Sequence, residues 1–305
     1  MNRLLHSFSA LAICLWSATS AVAQQQQQIT RPPITGVARV AIFVTNVIKA
    51  EDFYTKNLRL NPASSGCSSK VAACLVVNDH QQVHLVAAPS PAPSSLIAEV
   101  TFATTDAAQM RRYLISKGLS PEPVSVDANR VQHFSLLDPD GHTIGFAQLP
   151  PSTSSAAAAG QVSTHLIHGG FIVQDREAED RFYKDILGFH LYWHGGMKDD
   201  QDNWVSMQVP DGTDWLEYML HISPTADHHT IGVMNHIALG VPDIKAAKEQ
   251  LLKNDWKPGE QPKIGRDGKW QLNLYDPDET RVEFMEFKPA EKPCCSEFTG
   301  PHPQS

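Results

Sequence analysis

Four times along the chain the same pattern returns: a short apolar strand, a turn carrying Asp or Asn, then an amphipathic helix. The strands are Ala38-Arg-Val-Ala-Ile-Phe-Val-Thr-Asn46, Ala98-Glu-Val-Thr-Phe-Ala-Thr-Thr-Asp106, Ile167-His-Gly-Gly-Phe-Ile-Val-Gln-Asp175 and Asn235-His-Ile-Ala-Leu-Gly-Val-Pro-Asp243. The second and fourth units also end alike, in Leu136-Leu-Asp-Pro-Asp-Gly-His-Thr-Ile-Gly-Phe146 and Leu274-Tyr-Asp-Pro-Asp-Glu-Thr-Arg-Val-Glu-Phe284. Asp-Pro-Asp between two β-rich runs reads as a hairpin turn. Each unit is therefore a βα pair followed by short antiparallel strands. Units of this kind bury their apolar faces against one another, so the expected class is α+β with an internal repeat.

The 305 residues suffice for two ordinary domains, and 42% hydrophobic content allows each a packed core. The small, polar run at 150–163 is the natural linker, between units at 35–149 and units at 164–288. Ahead of them, Arg3, an apolar stretch through Leu11–Trp16 and the small-x-small site Ala21-Val-Ala23 predict a signal peptide over 1–23. That implies a secreted or periplasmic protein, free of the membrane once the signal is cleaved. The apolar run is short for an uncleaved anchor. The glutamine run that follows predicts an unstructured start over 24–34. Cys67 and Cys74 are close enough in sequence to pair across a loop, without sequence proving that they do. Cys294 and Cys295 sit in a Pro-rich tail, 289–305. Adjacent cysteines pair with each other only under strain, so a soft-metal site, another partner, or a plain exposed tail all stand open. A net charge of −8 with no basic stripe argues against nucleic acid as a partner.

The repeated βαβββ unit, the helix end Phe182-Tyr-Lys-Asp-Ile-Leu-Gly188 and the hairpin Asp276-Pro-Asp-Glu-Thr-Arg-Val-Glu-Phe284 resemble the vicinal-oxygen-chelate superfamily, the glyoxalase, bleomycin resistance protein and dioxygenase type. The resemblance covers 35–149 and 164–288. It implies two domains, each a cupped mixed sheet built from tandem βαβββ units. It also implies one metal-ligand slot on the first strand and one on the last strand of each unit. In the second domain those slots hold His168, Glu217, His236 and Glu283. The intervals 168 to 217 and 236 to 283 are nearly equal, as a duplicated unit requires.

Local pattern supports that assignment. In Trp215-Leu-Glu-Tyr-Met-Leu220, alternation puts Glu217 and Met219 on one face; in Arg281-Val-Glu-Phe-Met285, Val282 and Phe284 face away from Glu283. A carboxylate buried among apolar neighbours needs a partner. Any one of these residues alone reads more simply: a strand-start His as surface or hydrogen-bonded, a strand Glu as facing water. Two imidazoles with two carboxylates suit one divalent ion: Ni, Zn, Co, Mn or Fe(II). The first domain's matching slots hold Arg39, His84, Glu99 and Gly145, where Gly brings no ligand and Arg is a fixed cation. That domain is expected to be metal-free, with Glu99 paired to Arg39. His221 shares the alternation of Glu217 and reads as pocket lining or as ordinary strand packing. His228-His229 reads as a solvated loop. Trp193, Trp204 and Trp270 are candidates for an apolar pocket wall or for core.

The His-Glu-His-Glu set resembles that of bacterial glyoxalase I. This implies isomerisation of a small-molecule substrate such as a methylglyoxal–thiol hemithioacetal through an enediolate, with Glu283 as catalytic base and Glu217 as the second candidate. The sequence departs from glyoxalase I where an Arg commonly follows the first His by four residues; here that position is Ile172. Two alternatives follow from the same superfamily: an extradiol-type dioxygenase, needing Fe(II) on two His and one carboxylate, and a non-catalytic small-molecule binding module. A purely structural exported protein is the plainest reading. The cup would close within one chain or across a homodimer.

Overall fold

The computed structural model describes residues 29–63, 67, 71–151 and 157–304. The expected signal peptide and glutamine run lie outside them. Two eight-stranded mixed sheets make up the molecule. The first contains β1 (Ile34–Val44), β2 (Asn61–Pro62), β3 (Ala73–Asn78), β4 (Gln81–Ala87), β5 (Ile97–Thr104), β6 (Ser125–Val126), β7 (Gln132–Leu137) and β8 (Thr143–Gln148). The second contains β9 (His165–Ile172), β10 (His190–Gly195), β11 (Trp204–Gln208), β12 (Trp215–Met219), β13 (His236–Val241), β14 (Lys263–Ile264), β15 (Trp270–Tyr275) and β16 (Arg281–Glu286). Their orders are β2-β3-β4-β1-β5-β8-β7-β6 and β10-β11-β12-β9-β13-β16-β15-β14. The two orders are the same sequence of moves, eight strands apart. No helix among the described residues is long and apolar enough to cross a membrane.

The Asp or Asn that recurs in each unit is a helix cap. Asn46, Asp106, Asp175 and Asp243 accept from backbone N–H groups two or three residues on, and so start α1 (Val47–Asp52), α2 (Ala107–Ser116), α3 (Arg176–Asp180) and α5 (Ile244–Lys253). The helix ends read from Phe-Tyr are π-helical: Phe53–Asn57 continues α1 and Arg181–Ile186 continues α3. A further helix, α4 (His228–Met234), capped by Asp227, stands where the sequence suggested a loop. His228 and His229 are exposed on it.

Crossed contacts join the two halves. The Asp-Pro-Asp turn before β8 meets the helix after β9, and the turn before β16 meets the helix after β1. Tyr183 donates to Asp138 (3.1 Å) and Tyr54 to Asp276 (3.3 Å). Asp140 accepts from the N–H of Gln174 (2.6 Å), and Asp278 from that of Thr45 (2.9 Å). Gln81 bridges the sheets, with its amide on Val37 O, Leu166 O and Leu166 N. One apolar cluster runs through both halves, from Ile34 to Phe284.

Segments read as loose are tied down. Arg31 pairs with Asp211 at 2.9 Å, so residues 29–33, expected to be unstructured, are anchored. Gln161, in the linker, donates to Val77 O and Ser163 O. Cys67 and Cys74 are joined, as are Cys294 and Cys295. The tail is not a free end. Cys294 O accepts from Trp193 Nε1, Ser296 Oγ bonds both N and O of His194, Pro301 O accepts from Gln208, and Gln304 O accepts from His165. Neighbouring cysteines are therefore bonded to each other, a pairing the sequence disfavoured, inside a segment fixed along its length.

Removing one seam contact tests this arrangement. Tyr54→Phe strips a buried hydroxyl from the Asp276 carboxylate. It should cost about 1.5–3 kcal/mol in urea unfolding, with both halves losing structure in one transition.

Candidate metal centre

Strand register brings the site together. Across the middle of the second sheet, Glu217, Gly170, His236 and Arg281 stand opposite one another on β12, β9, β13 and β16. The next row on the same face is Trp215, His168, Ala238 and Glu283. Each imidazole thus has a small residue beside it. Gly170 is obligatory: a Cβ there would lie 2.2 Å from His236 Cε1. The second Gly after His168 thus clears the space that the second imidazole fills, and the first faces the other way, against Val100 and Val40.

The four side chains converge, and all come from one chain. His168 Nε2 lies 3.0 Å from His236 Nε2. Glu217 Oε2 is 3.2 Å from His236 Nε2 and 3.8 Å from His168 Nε2. Glu283 Oε2 is 3.7 and 3.8 Å from the same two nitrogens. Donors about 2.1 Å from a single tetrahedral or octahedral ion stand roughly 3.0–3.4 Å apart; His236 stands at that spacing from His168 and from Glu217, and both Glu283 separations are a few tenths of an ångström wider. The tightest set is His168, Glu217 and His236. His236 Nδ1 donates to Met234 O (3.2 Å), which turns the lone pair of Nε2 toward the cluster. His168 Nδ1 has no protein partner.

Burial controls the electrostatics. Both imidazoles are fully buried, and desolvation holds His168 and His236 well below the usual histidine range, hence neutral and able to ligate. Burial pushes the Glu283 carboxyl up to about 7, against the opposing pull of Arg281, whose Nη2 is 3.9 Å away. Two buried carboxylates are costly unless paired; Arg281 and Lys269 offset part of that cost, and a divalent ion is the partner that two carboxylates with two neutral imidazoles suit.

A cavity of about 300 Å³ opens onto Glu217 and Glu283. Tyr192, Trp193, Trp204, Trp215 and Phe298 wall it, and Glu217, Glu283, Lys269 and Arg281 are among its charged residues, with Lys263, Arg266 and Asp267. Lys269 is buried completely, its ammonium 4.7 Å from the Trp215 ring centroid and 5.2 Å from those of Tyr192 and Phe298. Burial pushes its pKa down to about 8.

The structure sorts the other sequence candidates. Trp193 and Trp204 line the cavity, but Trp270 packs on the outer face beneath Lys245. His221 lies exposed beyond the end of β12, so it neither lines the pocket nor packs in the strand. In the first sheet the matching rows are Arg39–Thr101–Gly145 and His84–Ala41–Glu99. Arg39 pairs with Glu99 at 3.5 Å, as expected, and with Thr101 at 3.0 Å. A Cβ on Gly145 would strike the Glu99 carboxylate at 2.5 Å, so this pair occupies the space of the missing ligand. Burial pushes His84 down to about 3. Sequence reasoning missed Arg281, Lys269, Trp215 and Phe298. Alternation along β16 gave a signal for Arg281, two residues from Glu283; nothing local placed Phe298 in the wall.

The close approach at Gly170 yields a direct test. Gly170→Ala should lower stability by about 1–3 kcal/mol through overpacking, read as a shifted thermal midpoint. Gly259→Ala, where a Cβ meets nothing within 4 Å, should leave the midpoint in place.

The model of the Glyoxalase/Bleomycin resistance protein/Dioxygenase superfamily matches residues 165–284. No curated protein sequence matches the chain. Solved structures share the fold over most of the chain. An extradiol ring-cleaving dioxygenase from Brevibacterium fuscum superposes with a TM-score of 0.65 at 17% identity, covering 90% of this chain and 76% of that one. Homoprotocatechuate 2,3-dioxygenase from Arthrobacter globiformis gives 0.63 at 18%, covering 85% and 81%. The Brevibacterium fuscum enzyme complexed with 3,4-dihydroxyphenylacetate gives 0.59 at 18%, covering 84% and 82%. Residues 165–284 therefore belong to the Glyoxalase/Bleomycin resistance protein/Dioxygenase superfamily, and the same strand order precedes them in the first sheet.

Proposed function

We propose that this protein is a divalent-metal-dependent enzyme of glyoxalase type, isomerising a small substrate held through two adjacent oxygens. His168, Glu217, His236 and Glu283 would hold the ion. The observation that carries this reading is the convergence of four donors, two buried imidazoles and two carboxylates, with both carboxylates lining one cavity. Two imidazoles and two carboxylates are one carboxylate more than the two His and one carboxylate that extradiol iron uses. When bound, the ion supplies Lewis acidity to the two substrate oxygens.

The chain's own groups account for the rest. For a hemithioacetal of methylglyoxal, the hydrogen on the carbon bearing sulfur and hydroxyl moves to the neighbouring carbonyl carbon. The hydroxyl proton moves to the former carbonyl oxygen, so atoms balance with no co-reactant. Glu283 is assigned as the base that takes the carbon-bound proton and returns it, held in place by Arg281. Glu217, on the opposite side of the imidazoles and bonded to Ser206, is the second candidate. The aromatic wall keeps water from the transferred proton. A cavity of about 300 Å³ is at the small end for ligand sites, so it favours a compact reacting group over a whole tripeptide thiol.

A second reading is extradiol ring cleavage, favoured by the dioxygenase fold of the matched structures. It would need Glu217 off the ion. One set of measurements separates the two: ion content of the purified chain beside Glu283→Gln and His236→Ala, with turnover of methylglyoxal plus a small thiol and of catechols under oxygen. The expected result is bound ion and hemithioacetal turnover in the wild type, at least a hundredfold less turnover in Glu283→Gln, and ion lost from His236→Ala. Ring cleavage with iron and no isomerisation would replace the first reading with the second. A wild type that takes up no ion in the cup would overturn both.

A further inference from the structure

The two seams repeat the same Tyr–Asp contact, and beside that pair they differ at two positions. In one, Asp276 receives Tyr54, and beside them lie Ala50, four residues before the Tyr, and Thr280, four after the Asp; both are buried. In the other, Asp138 receives Tyr183, and the corresponding places hold Glu179 and His142. The first seam closes without a carboxylate or an imidazole there, so docking does not require them.

Their arrangement is that of ligands. Donor atoms of Asp138, His142 and Glu179 all lie within 4.8 Å of one another. His142 Nδ1 is 2.8 Å from Asp138 Oδ2, about the separation of adjacent donors on an octahedral first-row ion. Glu179 is 0% exposed; its Oε1 accepts from Asp140 N (2.9 Å), but its Oε2 is buried with no partner. Burial, with Asp138 beside it, pushes the Glu179 carboxyl up to about 9. A second buried carboxylate next to Asp138 is a cost that the twin seam avoids and a cation would offset. The His142 side chain, 20% exposed and stacked on Phe171, leaves a route from solvent.

We propose that Asp138, His142 and Glu179 form a second cation site, which takes a divalent first-row transition ion and pins the two halves together at one seam. The imidazole argues against calcium and magnesium, which prefer oxygen alone. The ion displaces the Glu179 carboxyl proton to solvent, and the imidazole of His142 ligates through Nδ1 with its proton on Nε2.

The test uses the full chain, stripped with chelator and reloaded with zinc chloride, with zinc counted by mass spectrometry. The double variant Glu179→Ala with His142→Thr rebuilds the twin seam, whose geometry shows that these residues pack. It should fold by circular dichroism and hold one zinc fewer per chain than the wild type. Adding His236→Ala should remove a further equivalent. Should the double variant misfold, the near-isosteric Glu179→Gln carries the same comparison. Added zinc should raise the unfolding midpoint of His236→Ala but not that of His236→Ala combined with the seam change. Equal zinc content in wild type and seam variants would overturn the proposal. Loss at the seam alone, with the cup never loading, would uphold it and sink the enzyme reading instead.

Discussion

The register of β12, β9, β13 and β16 is the constraint on which everything else rests. Side chains alternate across a sheet, so a slip of one residue between β9 and β13 would send His168 or His236 to the opposite face. Buried apolar residues hold that register. Val282 and Phe284 point into the core while Glu283 points into the cup, and Leu216 and Tyr218 do the same beside Glu217. The polar cluster is thus positioned by the hydrophobic packing on its reverse side. Small residues at Gly170 and Ala238 then give the imidazoles room to meet.

The two sheets show what becomes of one frame under different side chains. Equivalent positions gather His, Glu, His and Glu in one sheet, and Arg, His, Glu and Gly in the other. In the first sheet the guanidinium of Arg39 and the carboxylate of Glu99 neutralise each other, and Gly145 makes space for them. The backbone arrangement survives this change because its stability comes from the shared core rather than from the cup.

Much of this could be read from the chain. The fourfold repeat, the capping Asp and Asn, and the alternation around Glu217 and Glu283 are local signals, and each has a local physical cause. The site's remaining walls depend on long-range contacts. Lys269 stands just before its strand and is buried only because Trp215, Tyr192 and Phe298 close over it. The Pro- and Cys-rich tail has the composition of a free end, yet its carbonyl and hydroxyl groups find partners on β10, β11 and β9. His221 failed for a different reason: β12 ends at Met219, and the alternation that would have placed His221 ends with it.

The crossed seams also change what the covalent join between the halves is for. Tyr183 of one half reaches a carboxylate of the other, and Tyr54 reaches back the opposite way. Two such reciprocal contacts around a common apolar cluster are the geometry of a heterodimer whose partners happen to share one chain. The connecting segment then contributes mainly effective concentration. A nick within it would leave two complementary fragments with every reason to stay together, and the four-donor cup would be inherited whole by the second of them.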